Sequence, residues 1–314
     1  MLRFHFDDPG LPLLHGCCFY VHSIDQSLSR NHKMSETGEG KTRLGGIRAG
    51  RESQWPPAPN FPKDAFIGTA RYYAQYRPPY PNSLLDDLRI RADITEEGRL
   101  LDLASGPGRV ALALAPYFRE VWAVDQEREM IDIGCEQAKS AGVTNVQWIV
   151  NRAEDLEAPS RFFNLITIGE AFHRLDQRII TLRTLDWLET GGSLAILWYV
   201  NFWRGNEGWQ QLATDVVSKW TGRRTGTRSE QIAHPVPFKK ILETYGFEHV
   251  AEYEFRVRHV WTLDALVGFL YSTSGVSKHA LGDKAEDFEA DFRSSLIAFD
   301  SCGQYEETAR FGYL

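Results

Sequence analysis

The stretch R-L-L-D-L-A-S-G-P-G-R-V, residues 99–110, decides how this chain folds. A short apolar run (Leu100, Leu101, Leu103) stops at small residues, and a helical pattern starts directly after them. That order predicts a strand, a tight glycine turn and a helix N-terminus. Gly106 and Gly108 let the backbone approach a ligand closely, and the unpaired N–H groups of the helix start favour negative charge. Asp102 falls at the carboxyl end of the strand, where open α/β sheets bind their ligands. The next strand, Glu120-Val121-Trp122-Ala123-Val124-Asp125, ends in a second carboxylate, placed to accept both hydroxyls of a ribose.

Two cofactors compete for such a turn. Read from Gly106, G-P-G-R-V-A fits the G-x-G-x-x-A dinucleotide fingerprint, with Asp125 about twenty residues on, as that fingerprint expects. Asp102 argues the other way. A carboxylate just ahead of the glycines would repel a pyrophosphate, whereas a ligand carrying an ammonium and a sulfonium would welcome it. The string D-x-A-x-G-x-G therefore resembles motif I of the class I S-adenosylmethionine-dependent methyltransferases, with Ala104 in place of the usual first glycine. An ordinary βα turn without a ligand is the bland alternative, and the second carboxylate in register weighs against it.

The chain of 314 residues has room for one large domain or two modest ones. Its 43% hydrophobic and 25% charged residues are those of an ordinary globule. A net charge of −7 and the lack of a long basic run argue against a nucleic-acid partner and favour a small-molecule or protein acceptor. Cysteines at 17, 18, 135 and 302 show no metal spacing and are too few for a disulfide framework, which predicts a reducing, cytoplasmic setting. No run of about 18 apolar residues occurs, so no membrane span is predicted. Leu11 to Ile24 is moderately apolar, but Asp7 and Asp8 stand where a signal peptide needs positive charge. Residues 26–62 are rich in Ser, Gly, Arg and Pro and end W-P-P-A-P-N-F-P. Residues 1–62 are therefore expected to be a disordered extension, with Met34 as an alternative start. A cofactor-binding core over 63–200 and the remaining strands with a helical lid over 201–314 would follow.

Within that core, Phe66 to Tyr76 has roughly helical spacing and runs into Arg77-Pro78-Pro79-Tyr80-Pro81, after which Leu84, Leu85, Leu88 and Ile90 mark a helix. The segment F…A-x-x-Y-x-x-x-R-P-x-Y-P resembles the start of bacterial small-molecule methyltransferases similar to trans-aconitate methyltransferase. In that group this segment folds over the cofactor, which implies Tyr73, Tyr76 and Arg77 as residues to watch, with Tyr73 and Arg77 toward the substrate. After the third strand, Val146 to Val150, the A-E-D match implies an adenine contact at Ala153 and Glu154, although Arg152 stands where an aspartate is common. Gln126, beside the ribose carboxylate, and Gly169, ending the fourth strand, complete the implied cofactor contacts. The string A-F-H-R-L-D over 171–176 resembles one that stands beside the transferred methyl, and Arg174 replaces its usual tryptophan. It implies His173 and Glu170 as the catalytic candidates, either taking a proton or holding substrate.

The fourth strand is expected over Phe162 to Ile168. A helix should span Ile179 to Leu188 and be closed by Gly191-Gly192, with a fifth strand over Ser193 to Tyr199. Trp209, Leu212, Ala213, Val216, Val217 and Trp220 form one helical stripe. Arg223 to Arg228 reads as a polar loop, Phe238 to Tyr245 as a helix capped by Gly246, and the alternation from Ala251 as a half-exposed strand. The string W-T-x-D-x-L-x-G-x-L-x-S-T-S again resembles the same branch, in which this helical insert lids the acceptor pocket. It implies Trp261 and Tyr271 as pocket lining. Phe288, Phe292, Leu296 and Phe299 mark another amphipathic helix. Ala309, Phe311 and Tyr313 would lie on an antiparallel last strand.

The expected fold is a doubly wound α/β architecture: a mostly parallel, seven-stranded Rossmann-like sheet with an antiparallel last strand and a helical lid. The expected function is S-adenosyl-L-methionine-dependent methyl transfer to oxygen or nitrogen of a small-molecule acceptor, carboxylates included. A non-catalytic binder of the same cofactor and an NAD-dependent oxidoreductase are the alternatives.

Overall fold

Short apolar runs ended by glycine or a carboxylate fold into parallel strands here. The computed structural model describes residues 65–222 and 237–314. The expected extension over 1–62, its Cys17-Cys18 pair and the polar loop at 223–228 lie outside the described residues. Strands β1 (Arg99–Leu103), β2 (Glu120–Asp125), β3 (Val146–Val150), β4 (Phe163–Gly169) and β5 (Leu188–Val200) form the parallel part. Strands β6 (Tyr253–Thr262) and β7 (Gln304–Tyr313) complete one seven-stranded sheet of order β3-β2-β1-β4-β5-β7-β6. Strand β7 is antiparallel to both neighbours, with Tyr199 opposite Phe311 on β5 and Phe255 opposite Phe311 on β6. A dinucleotide-binding sheet runs 3-2-1-4-5-6 in parallel, so this inserted reversed strand separates the two folds that motif I left in competition.

Helices lie on both faces. α1 (Ala70–Tyr76), α2 (Asn82–Arg91), α3 (Arg109–Leu114) and α4 (Arg128–Ala141) come first, then α5 (Gln177–Trp187), α6 (Gly208–Thr221), α7 (Phe238–Tyr245), α8 (Leu263–Tyr271), α9 (Lys278–Leu281) and α10 (Ala285–Phe299). One core, holding Leu84, Leu100, Leu165, Val217, Phe269 and Phe292, runs from the second helix to the last strand. The other, with Leu101, Leu103, Ile166, Phe172 and Leu242, fills the opposite face. Residue 200 therefore marks no break in packing.

The glycine pair was expected to close the helix after Ile179, and the structure corrects this. α5 ends at Trp187, Leu188 is already extended, and the register on β4 slips between Phe163–Leu188 and Leu165–Ser193. Gly191 (φ +87°) and Gly192 lie in that bulge. A Cβ on Gly192 would stand 3.0 Å from the Phe163 carbonyl oxygen, so the bulge needs a bare backbone there. Among the described residues no helix is long and apolar enough to cross a membrane. No group of three His, Cys, Asp or Glu among them could hold a metal.

Candidate active site

The glycine turn after β1 is held from both sides by carboxylates. Asp102 is 1% exposed; its Oδ1 accepts from the Thr167 hydroxyl on β4 (2.7 Å) and its Oδ2 from the Ala111 N–H in α3 (3.1 Å). Burial outweighs these bonds and pushes its carboxyl up to about 7, with the charge of Asp125 adding to the rise. Asp125, at the end of β2, accepts from the Gly106 N–H (2.8 Å) and the Glu127 N–H (2.9 Å), one on each oxygen. Burial raises its carboxyl too, against those N–H bonds. A carboxylate has about four lone-pair sites, so Asp125 keeps acceptor capacity for two hydroxyls. Gln126 beside it is exposed, and its amide donates to Glu127 (3.3 Å).

Backbone geometry explains the small residues of the turn. Ala104 sits at φ +51°, a left-handed conformation costly for a residue with a Cβ. Gly106 (φ +57°) has Tyr73 and Met130 as its nearest neighbours, 3.8 and 4.0 Å from a notional Cβ, which leaves room above the turn. Gly108 (φ +77°) caps α3 and answers a different need: a Cβ there would lie 2.3 Å from the Trp148 ring, which also crowds Gly134 on α4. The second glycine therefore serves helix–sheet packing.

A small cleft opens between the ends of β1 and β4, lined by Tyr73, Tyr80, Asp102, Ser105, Arg109 and Gly169, with Ala104 and Val110 behind them. Beyond it stands Glu170, a non-glycine residue at φ +57°, which is where strain gathers at functional sites. Its Oε1 accepts the Tyr199 N–H (2.7 Å). Burial raises the Glu170 carboxyl, while Arg77, the Tyr199 N–H, Arg174 and Arg109 pull it back. Arg77 donates through Nε to the Ser272 hydroxyl (2.8 Å) and lies against the rings of Tyr73 (4.8 Å) and Phe269 (4.6 Å). It thereby ties the turn after α1 to the end of α8.

Five expected residues sit elsewhere than the sequence suggests. Trp261 is 1% exposed; it packs on Phe202 and Phe269, and its indole N–H donates to Glu307 (2.8 Å). Tyr271 is 2% exposed; its hydroxyl bonds Glu289 (2.8 Å) and the Ala285 carbonyl (3.1 Å). Both belong to the core instead of a pocket wall. His173 is exposed on the 3-10 turn Phe172–Arg174, and its Nε2 accepts from Arg174 Nε (3.2 Å). Arg174 is the residue of that turn that feels Tyr73, Arg77, Glu170 and Asp125, with its guanidinium over Phe66 (4.4 Å). Glu154 spends its oxygens on the Asp176 N–H (3.0 Å) and on Arg152 (3.4 Å), fixing the loop before α5, and Ala153 is buried. Sequence reasoning also passed over Tyr80, whose hydroxyl would stand 3.0 Å from a Cβ on Gly169. Its only local signal is a place in the proline-rich turn.

The methyltransferase-domain family model matches residues 100–192, from β1 into the bulge of β5. An uncharacterized methyltransferase of Bacillus subtilis is 38% identical over 82 residues, 26% of this chain and 32% of the relative. The chain thus spans about a third of that relative's length. An uncharacterized methyltransferase of Schizosaccharomyces pombe is 22% identical over 216 residues, 68% of this chain and 79% of the relative. A solved structure from Anaeromyxobacter dehalogenans, provisionally named a type II methyltransferase, shares the fold at a TM-score of 0.52 and 20% identity, covering 76% of this chain and 94% of that one. Residues 100–192 thus match a methyltransferase domain, set in a sheet that the rest of the chain completes.

Proposed function

We propose that the chain transfers a methyl group from S-adenosylmethionine to a small molecule, and that this acceptor carries an anionic group such as a carboxylate. One observation supports the reading above others: buried carboxylates and guanidinium groups stand together around the glycine turn and the end of β4. Asp102 and Asp125 flank the glycine turn, while Arg77, Arg174 and Arg109 surround Glu170 at the end of β4. A carboxylate pair suits an ammonium group and a ribose; guanidinium groups suit a carboxylate.

The residues present fit such a cofactor. Asp102 would hold its ammonium, Asp125 its ribose hydroxyls, and Gly106 leaves space above the turn. When bound, it supplies a methyl group already activated on positively charged sulfur. The protein's work is then alignment, which can contribute about 7–11 kcal/mol. Arg77, pinned by Ser272, and Arg174 orient the acceptor. Tyr73 and the rest of α1 keep water out of the cleft. Glu170 takes a proton where the acceptor has one to lose; for a carboxylate acceptor it instead keeps the guanidinium groups in place. His173 acts through Arg174, as a positioning residue.

The test is to incubate the protein with methyl-labelled cofactor and a deproteinised metabolite extract, then separate products by charge. Label should enter a small molecule that binds an anion exchanger before reaction, and binds more weakly after it where the carboxylate itself takes the methyl. Label confined to added protein or RNA, or no transfer at all, would defeat the proposal. Equilibrium binding of adenosylmethionine against NAD separates it from the oxidoreductase alternative.

A further inference from the structure

The reading just given matches the cofactor's ammonium to Asp102 and its ribose to Asp125, and leaves its carboxylate without a partner. A buried carboxylate needs hydrogen-bond donors, so the donors around the cleft decide where it can go. Most are spoken for. The Ser105 hydroxyl donates to the Gly106 carbonyl (3.4 Å), and Arg109 Nη2 donates to the Pro78 carbonyl. Tyr73 lines the cleft too, but it is only partly buried and carries the Arg77 guanidinium on its ring.

Tyr80 differs from these. It is 8% exposed, its ring meets Phe311 edge-on at 6.1 Å, and the Arg109 guanidinium lies 5.4 Å from its centroid. It lines the cleft together with Asp102 and Gly169, and its hydroxyl has no hydrogen-bond partner among the described residues. The phenolic oxygen is not one of the sealed polar atoms left without a partner, so it is open to a ligand. The end of β4 is shaped around it: a Cβ on Gly169 would come within 3.0 Å of the phenolic oxygen. Gly169 is bare so that the hydroxyl can reach the junction of β1 and β4, where an α/β sheet takes its ligand. Burial, reinforced by the charge of Glu170, keeps the phenol protonated and hence a donor.

We propose that Tyr80 is a cofactor-binding residue whose hydroxyl donates to the carboxylate of the cofactor's amino-acid end, holding that end against Asp102. The proposal rests on the methyltransferase reading. Arg109, above the same ring, adds favourable positive potential. No covalent step is involved.

The experiment compares two ligands that differ in that end: adenosylhomocysteine, which has it, and 5′-methylthioadenosine, which lacks it. Each is titrated calorimetrically into the wild-type protein and into Tyr80→Phe, which keeps the ring and removes the oxygen. A lost hydrogen bond to a charged group should weaken adenosylhomocysteine about tenfold or more, and leave methylthioadenosine within about twofold. Gly169→Ala, whose methyl would push the hydroxyl aside, should show the same selective loss and serves if Tyr80→Phe melts early. Equal losses for both ligands, or no loss for either, would overturn the role of Tyr80 and leave the methyltransferase reading standing. A wild-type protein that binds neither ligand would overturn both.

Discussion

Replacing Asp102 by asparagine separates the cost of a buried charge from its use. Asp102 is 1% exposed, and burial lifts its carboxyl from 3.8 to about 7 despite the bonds from Thr167 and Ala111. A raised carboxyl means that the folded protein holds the proton more tightly than the unfolded chain. Stability therefore falls as pH rises from about 4 to about 7, and the full cost stands above that range. At about 1.4 kcal/mol per pH unit, the cost is about 4 kcal/mol at pH 8 and about 2 kcal/mol at pH 5. Asparagine keeps the shape without the charge, but its amide nitrogen cannot accept the second bond, a loss of about 1–2 kcal/mol. Asp102→Asn should thus be more stable than the parent by about 2–3 kcal/mol at pH 8, near parity at pH 5, and unable to bind adenosylmethionine tightly. Urea unfolding followed by tryptophan fluorescence, run on both proteins at both pH values, measures the difference. Groups that do not feel the Asp102 charge titrate alike in the two and cancel. A variant less stable by the same amount at both pH values would refute the buried-charge cost.

Asp125→Ala should remove tight cofactor binding by calorimetry and detach the glycine turn, since the Gly106 and Glu127 N–H groups lose their acceptor. Ala104→Gly should raise the melting temperature modestly, by relief of up to about 1 kcal/mol at φ +51°, without changing cofactor affinity. Gly108→Ala should cost about 2–4 kcal/mol in denaturant unfolding, because its methyl meets the Trp148 ring at 2.3 Å in a left-handed backbone. Arg77→Met should raise KM for the acceptor far more than for the cofactor; an unchanged acceptor KM would make the residue only the tie between α1 and α8.

Much of the cofactor side is legible in the sequence, because local pattern governs it. Buried parallel strands are short apolar runs with definite ends, so β1, β2 and β4 and the terminal Asp102 and Asp125 can be read directly. The bulge at Gly191-Gly192 cannot, since a glycine pair after a helix looks the same whether it caps that helix or lets a strand pass a neighbour's carbonyl. Trp261 and Tyr271 have the amphipathic character of pocket lining, yet Glu307 and Glu289, 46 and 18 residues away, take their polar atoms into the core. On the turn Phe172–Arg174 each residue points about a third of a revolution from the last. A motif string cannot say which one interacts with Glu170 and Asp125, and it is Arg174 that feels both. Tyr80 escapes notice because its meaning depends on Gly169, which only the sheet brings alongside.

The reversed strand also shapes how the chain must assemble. β7 follows β6 in sequence but lies between β5 and β6, so β6 has no bonded neighbour until the later strand arrives. Until β7 is made, Trp261 can pack on Phe202 and Phe269 but lacks its Glu307 acceptor and its strand partner Tyr305. Closure of this half of the sheet is therefore late and non-local, because β6 has nothing to pair with until β7 is made.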